Sequence, residues 1–215
     1  MIYHPFISAF LRETCMTLYD IKPQFQTMLR PLARFMYSLG VTANQVTIFT
    51  IAASVIFSLI LIFFSETALF VLMPVFLFIR MALNAIDGML AREFNQKSQT
   101  GAILNETGDI IADAALYLTF AFLSGVWPWL IFLVVLLSWL TEFCGVVAQT
   151  LTGVRSYHGP MGKSDRALVM GGLGGLIAFC PQYISIVNIV LGLSFILLIW
   201  TCINRCRNIS ESPNA

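Results

Sequence analysis

The stretch from Leu83 to Asp113, "LNAIDGMLAREFNQKSQTGAILNETGDIIAD", decides how this chain folds, because it sets Asp87, Glu106, Asp109 and Asp113 between two long apolar runs. An ionised side chain at the centre of a membrane helix costs ~2.5 kcal/mol or more, so carboxylates at such depth are read first as functional. The surroundings are membrane-like. Of 215 residues, 58% are hydrophobic and 11% charged, whereas a soluble domain carries about a quarter charged residues. The fold class expected is therefore all-α, a polytopic membrane protein. A net charge of +1 offers no basic field for nucleic acid. No cleavable signal peptide is expected, since Arg12, Glu13, Asp20 and Lys22 break up the apolar positions near the start.

Outward from this stretch, runs long enough to cross a bilayer, about 20 mostly apolar residues each, fall at 46–64, 68–91, 102–124 and 129–150, and 167–203 holds two more. "SET" (Ser65 to Thr67) and "SGVWPW" (Ser124 to Trp129) make tight turns, and Cys180-Pro181-Gln182 breaks the last run, giving six transmembrane helices. The tryptophans of the second turn suit an interfacial belt. Eleven of the twelve Lys and Arg residues lie before the first span, in alternate loops, or after the sixth span; Arg80 is the exception. The positive-inside rule makes that side cytoplasmic, with both termini on it. Residues 24–39 repeat apolar side chains at Phe25, Met28, Leu29, Leu32, Phe35, Met36 and Leu39, the pattern of an amphipathic helix lying along the headgroup plane. The five cysteines, odd in number and without a CxxC pair, read as small apolar packers, and His4 and His158 are too few for a metal site.

The polar groups share one depth. Asp87 sits at the cytoplasmic end of the second span, and Asp109 and Asp113 sit in the first turns of the third, which starts on the same side. Asn105, Asp109 and Asp113 recur every four residues on one helix face, and Asn84, Asp87, Gly88 and Ala91 form a stripe on the other helix. Two facing stripes of oxygen ligands call for a hard divalent cation such as Mg²⁺. Gly88 and Ala91 leave room beside Asp87 for a ligand or for close helix packing, and Arg92 suits phosphate. Together these features point to metal-assisted phosphoryl transfer at the membrane surface.

At this point the residues resemble the CDP-alcohol phosphatidyltransferase family, whose signature is DxxDGxxAR, about eight residues, then GxxxDxxxD. The chain reads Asn84-x-x-Asp87-Gly88-x-x-Ala91-Arg92, eight residues, then Gly101-x-x-x-Asn105-x-x-x-Asp109. "GVTANQVT" (Gly40 to Thr47) is similar to the family's segment before the first span, with Ala43 in place of proline, and "GPMGKSDRA" (Gly159 to Ala167) resembles its "GK" segment. The resemblance implies transfer of a phosphatidyl or phosphoalcohol group from a CDP-linked donor, such as CDP-diacylglycerol, to an alcohol with release of CMP. It implies Asp109 and Asp87 as catalytic residues and a metal set of Asp87, Asp109, Asn84, Asn105 and Asp113 for Mg²⁺ or Mn²⁺. It also implies a nucleotide site of Gly88, Ala91, Arg92, Gly101, Asn44 and Thr47, and phosphate or acceptor contacts from Lys163, Arg155 and Arg166. The first and third aspartates of the signature are Asn84 and Asn105 here, so the cation would meet two uncharged ligands; Asp113 extends the third-helix stripe by one turn.

The expected organisation is an N-terminal cytoplasmic or interfacial segment (1–45), a six-helix domain like that family's (46–203) and a short cytoplasmic tail (204–215). Expected partners are a CDP-diacylglycerol-like lipid, an alcohol acceptor, the bilayer and, from Gly171 and Gly175 four apart together with the resemblance, a second copy in a homodimer. A bacterial inner membrane is the expected location. The rival readings are a small ion-coupled transporter and a catalytically inactive lipid-binding relative.

Overall fold

The structure, a computed structural model, describes the backbone of residues 18–64 and 66–210. Residues 1–17 of the expected N-terminal segment, with Arg12, Glu13 and Cys15, lie outside the described residues, as do Ser65 of the first turn and residues 211–215 of the tail. The described chain is helical, without strands. Its α-helices are α1 (Leu18–Ser38), α2 (Ala43–Phe64), α3 (Leu72–Glu93), α4 (Gln99–Leu118), α5 (Pro128–Thr152), α6 (Lys163–Phe179) and α7 (Ile184–Ser210). Single 3₁₀ turns at Thr67–Val71, Thr119–Phe122 and Pro181–Tyr183 join α2 to α3, follow α4 and precede α7.

The helix limits follow from local chemistry. Asn95, in the left-handed region at φ 55°, stops α3 just past its end. Ser98 starts α4, its Oγ accepting from the Gly101 N–H at 2.9 Å, which satisfies one of the orphan donors of the first turn. Pro128 opens α5, where its missing N–H costs nothing, and Gly153 at φ 74° closes it. At the head of α6 the Asp165 carboxylate accepts from the Gly162 N–H at 2.9 Å.

The helices pack α2 with α4, α3 with α6, and α5 with α7, while α3 also touches α2 and α1. α2 shows which solvent the fold is built for. Its buried face carries Thr47, Thr50, Ser54 and Ser58, each hydroxyl returned to the carbonyl four residues earlier. Its exposed face carries Phe49, Ile56, Phe63 and Phe64. In water that arrangement would be inside out; in lipid, small and hydroxyl-bearing residues form the helix contacts and bulky apolar ones face the acyl chains. Four segments are long and apolar enough to cross a membrane, Ala43–Phe64, Thr67–Glu93, Pro128–Thr152 and Pro181–Arg207. Charge sets α4 apart from them, through Glu106, Asp109 and Asp113, and α6 has 17 residues, a length of about 25 Å at 1.5 Å per residue.

Helix α1 forms over the segment expected to be amphipathic and runs on through Pro31. Its Leu29, Ala33 and Met36 pack on Val46, Ile86, Met89 and Leu90, and the Tyr37 ring stacks on Phe94 at 4.4 Å. Arg30 holds Glu93 at the end of α3, its Nε 3.0 Å from Oε2. Met28, Leu32, Phe35 and Leu39 are left exposed. The main core joins Leu61, Phe70, Met73, Leu77, Phe120, Ile131, Val134 and Leu191 at the other end of the bundle. The Gly171 and Gly175 pair divides: a Cβ on Gly171 would stand 3.2 Å from the Pro74 Cα of α3, while one on Gly175 would meet nothing within 4 Å. Gly171 therefore serves contact within the chain.

Candidate active site

The site grows from the point where α3 ends and α4 begins. Because the two helices are antiparallel and joined by a short loop, Asn84 and Asp87 on the last turns of α3 come against Asp109 at the middle of α4. Asn84 Nδ2 donates to Asp109 Oδ1 at 2.9 Å. Asp87, only 4% exposed, accepts from Thr47 Oγ1 of α2 at 2.9 Å, and Asp109 and Lys163 lie within electrostatic reach of it. Lys163, the first residue of α6, forms an ion pair with Asp109 Oδ2. Thus α2, α4 and α6 each deliver one polar group to the same place, and α3 delivers two.

The nucleotide-side residues expected from the sequence gather next to it. The Arg92 guanidinium folds back so that a Cβ on Gly88 would stand 3.1 Å from either terminal nitrogen. Gly101 has no room for a side chain, since its Cβ would come 2.6 Å from Asn44 Oδ1 and 2.8 Å from Ser98 Oγ. Asn44 therefore lies over the start of α4. The Ala43 N–H donates to Gln96 Oε1 at 2.7 Å, tying the head of α2 to the loop between α3 and α4. Ala91 is partly buried against the cluster that holds α1 to α3.

One turn deeper the groups are cationic and matched. Asp113, 4% exposed, pairs with Arg80 of α3 and lies 3.4 Å from Arg166 Nη2 of α6. Arg80 Nη2 also reaches Asp109 Oδ1 at 3.4 Å. Arg166 donates to Glu142 of α5 at 2.9 Å and to Thr141 Oγ1 at 3.2 Å. Arg155, in the loop after α5, pairs with Glu106 and lies 2.9 Å from Glu142. Burial works to lower the Arg155 pKa, but the hydrogen bond and charge of Glu106 and the charge of Glu142 outweigh it and hold the guanidinium above its ordinary value. Arg205 of α7 donates to the Thr141 carbonyl. Of the residues expected to meet substrate phosphates, Lys163 stands at the Asp109 carboxylate, Arg166 stands in this deeper network, and Arg155 stands at its loop side between Glu106 and Glu142.

Arg80, Glu142 and Arg205 belong to this network by structural pairing, a role that intramembrane position alone favours over tuning the site. All three are charged residues on apolar helices, which was the available signal. Their partners come from other helices and carry no sequence spacing of their own.

The donor chemistry can be tested against a divalent cation. Among the described residues, no three His, Cys, Asp or Glu side chains come together as a metal cluster. Two of the four signature positions are carboxamides, and Asp113 faces arginines. What remains is Asp87 and Asp109 with the carboxamide of Asn84, and Asn105 one turn earlier on α4, hard oxygen donors of a type that suits Mg²⁺ or Mn²⁺ and not a soft metal. By donor type the set fits a cation met by two carboxylates, while Asn84, Arg80 and Lys163 hold the Asp109 oxygens in this structure.

Comparison with known proteins gives the family and the fold. The family model for CDP-alcohol phosphatidyltransferase matches residues 40–203. The chain is 53% identical over 194 residues to the inner membrane protein YnbA of Escherichia coli K12, covering 90% of this chain and 96% of that protein. It is 30% identical over 159 residues to an uncharacterised Aquifex aeolicus protein, covering 71% and 78%. The fold is shared with the phosphatidylinositol phosphate synthase PgsA1 of Mycobacterium tuberculosis. The crystal structure of that enzyme with CDP-DAG bound superposes with a TM-score of 0.71 at 21% identity, covering 85% of this chain and 94% of that one. A second structure, of the same enzyme with manganese and citrate, gives the same TM-score and identity and covers 85% and 89%. The match from residue 40 to 203 spans the Asp87 and Asp109 helices and the Lys163 helix alike, and the chain belongs to the CDP-alcohol phosphatidyltransferase family.

Proposed function

We propose that this protein is a membrane transferase that moves a phosphatidyl or phosphoalcohol group from a CDP-linked lipid, CDP-diacylglycerol or a near relative, to an alcohol and releases CMP. The observation that carries the reading is the meeting of Asp87, Asp109, Thr47 and Lys163 from four helices at the motif of this family. Gly88, Ala91, Arg92, Gly101 and Asn44 border the nucleotide, with the Arg92 guanidinium lying over Gly88 where it can meet phosphate oxygens. Asp109 accepts the proton of the acceptor hydroxyl as its oxygen attacks the phosphorus on the lipid side of the pyrophosphate. The bridging P–O bond breaks and CMP leaves with the electron pair. Lys163 stands against Asp109, where it can steer that carboxylate and meet phosphate oxygens. Asp87, Asp109, Asn84 and Asn105 would hold Mg²⁺ or Mn²⁺, which when bound supplies neutralisation of pyrophosphate charge.

The arrangement in the membrane belongs to the same proposal. Helices α2 to α7 form six spans, with 46–203 as the catalytic domain, residues 1–45 as an interfacial segment and 204–215 as a tail. The exposed Met28, Leu32 and Phe35 of α1, with Leu39 just past its end, suit the headgroup boundary. Both termini and the site face the cytoplasm, where a water-soluble nucleotide carrying a lipid tail has access, in a bacterial inner membrane. The open side of α6 at Gly172 and Gly175 gives a homodimer a place to form. An inactive lipid-binding relative is the second reading, favoured by Asn84 and Asn105 at acidic positions of the motif.

The test is CMP release by purified protein in detergent from CDP-diacylglycerol with Mg²⁺ or Mn²⁺ and a panel of alcohols. Asp87→Asn and Asp109→Asn each lower turnover by about 10²-fold or more, the usual scale for losing a positioned proton acceptor, while the melting temperature stays near wild type. Turnover that survives both substitutions refutes the assignment, and no release with any acceptor favours the inactive relative.

A further inference from the structure

We infer that Glu142 acts as a built-in anion that closes the arginine cluster beside the candidate site to phosphate, so that the acceptor is an alcohol without a phosphomonoester. The inference about the acceptor rests on the transferase reading; the electrostatic assignment of Glu142 stands by itself. Glu142 Oε2 takes the Arg155 guanidinium at 2.9 Å, and Oε1 takes Arg166 at 2.9 Å with Arg205 at 3.8 Å. One carboxylate held by three guanidinium groups occupies the position an incoming oxyanion would need. The other contacts of these arginines are also internal. Arg155 pairs with Glu106, Arg166 reaches Asp113, and Arg205 donates to the Thr141 carbonyl. On the Asp109 side of this cluster, Arg80 and Lys163 are held by Asp113 and Asp109.

A phosphomonoester brings about −1.5 to −2 charges at neutral pH. To enter, it must either sit against Glu142, with like charges at close range in a poorly solvated place, or expel that carboxylate from three partners at once. A hydroxyl faces neither barrier. Arg155 Nε, Arg166 Nε, Arg205 Nε and Ser156 Oγ are enclosed as well, so none of these donors is open to an incoming oxyanion.

Two measurements test this on the full-length protein in detergent. In the first, thermal unfolding is followed with low-millimolar sodium sulfate against sodium chloride at equal ionic strength, too dilute for the general exclusion of sulfate from protein surfaces to raise melting by itself, sulfate serving as the phosphate mimic. Wild type melts at the same temperature in both, whereas Glu142→Gln melts higher in sulfate. A wild type stabilised by sulfate, or a folded Glu142→Gln as indifferent as wild type, overturns the assignment; if Glu142→Gln does not fold, the wild-type result decides. In the second, CMP release is compared for glycerol against glycerol 3-phosphate and for inositol against inositol 1-phosphate. The unphosphorylated member of the better pair is used at least about tenfold faster, a difference of ~1.4 kcal/mol, and preference for the phosphorylated member overturns the proposal. Failure to release CMP with any acceptor strikes the transferase reading, while the sulfate measurement still decides the role of Glu142.

Discussion

The two ends of this bundle are built on different physics from the same helices. At one end, Phe70, Met73, Phe120, Leu130, Ile131, Val134, Ile177 and Leu191 fill a dry core, and one polar device holds the turn there. Asn188 of α7 accepts from the Trp127 N–H at 2.9 Å and donates to the Gly125 carbonyl at 2.8 Å, satisfying two backbone groups that precede α5. At the other end, Arg80, Asp113, Arg166 and Arg205 are buried around a partly buried Glu142, and ion pairs tie α3, α4, α5, α6 and α7 together. The buried side-chain polar atoms without a partner, among the described residues, are Arg80 Nε, Tyr117 Oη, Arg155 Nε, Ser156 Oγ, Arg166 Nε and Arg205 Nε, all in or beside the charged end. An apolar core tolerates an imperfect fit by losing contact energy gradually. A buried charge network has no such latitude, because each group removed leaves its partner uncompensated. The charged end is thus the one where structure has been given up for chemistry.

The contrast can be broken most severely at Arg166. Arg166→Ala strips one guanidinium from both Asp113 and Glu142 at less than 2% exposure of the arginine. It is expected to cost about 3 kcal/mol, the lower edge for breaking a buried ion pair, since Asp113 keeps Arg80 and Glu142 keeps Arg155. The check is thermal or denaturant unfolding in detergent, and a loss below ~1 kcal/mol would mean that water already screens this end. At the apolar end, Asn188→Ala leaves the Trp127 N–H and the Gly125 carbonyl without their side-chain partner and is expected to cost about 1–2 kcal/mol. Its CMP release should match wild type at a temperature where both are folded, which separates the two ends by function as well as stability. The smallest effect belongs to Arg30→Ala, whose partner Glu93 is as exposed as Arg30 itself. Melting is expected to stay within error of wild type, because exposed ion pairs contribute little.

Much of the fold was legible because membrane helices write themselves into composition. The expected limits at 46–64 and 129–150 fall within α2 and α5, and the break at Pro181 is where α6 gives way to α7. Even so, the apolar run at 102–124 overstates α4, which ends at Leu118 and continues as a 3₁₀ turn. Four helices meet the length and apolarity of a span without qualification; in α4 and α6 charge and length work against the same reading. The register of Asp87 and Asp109 was legible too, because i, i+4 spacing fixes which residues share a helix face. Their companions were not. Thr47 was placed with the nucleotide, yet its hydroxyl is on Asp87; Lys163 was placed with phosphates, yet it stands on Asp109. Gly171 and Gly175 look equivalent in sequence, and only the position of Pro74 separates them.

By itself, the amino-acid sequence determined the solvent, the helices and the family, because hydropathy, turn residues and motif spacing are local quantities that survive without knowledge of the fold. The tertiary structure alone decided which cation answers which carboxylate. Arg166 meets Asp113, 53 residues away, and Arg205 meets the Thr141 carbonyl, 64 residues away. Charge interaction depends on distance through space and on exclusion of water, and neither quantity exists until the helices are packed.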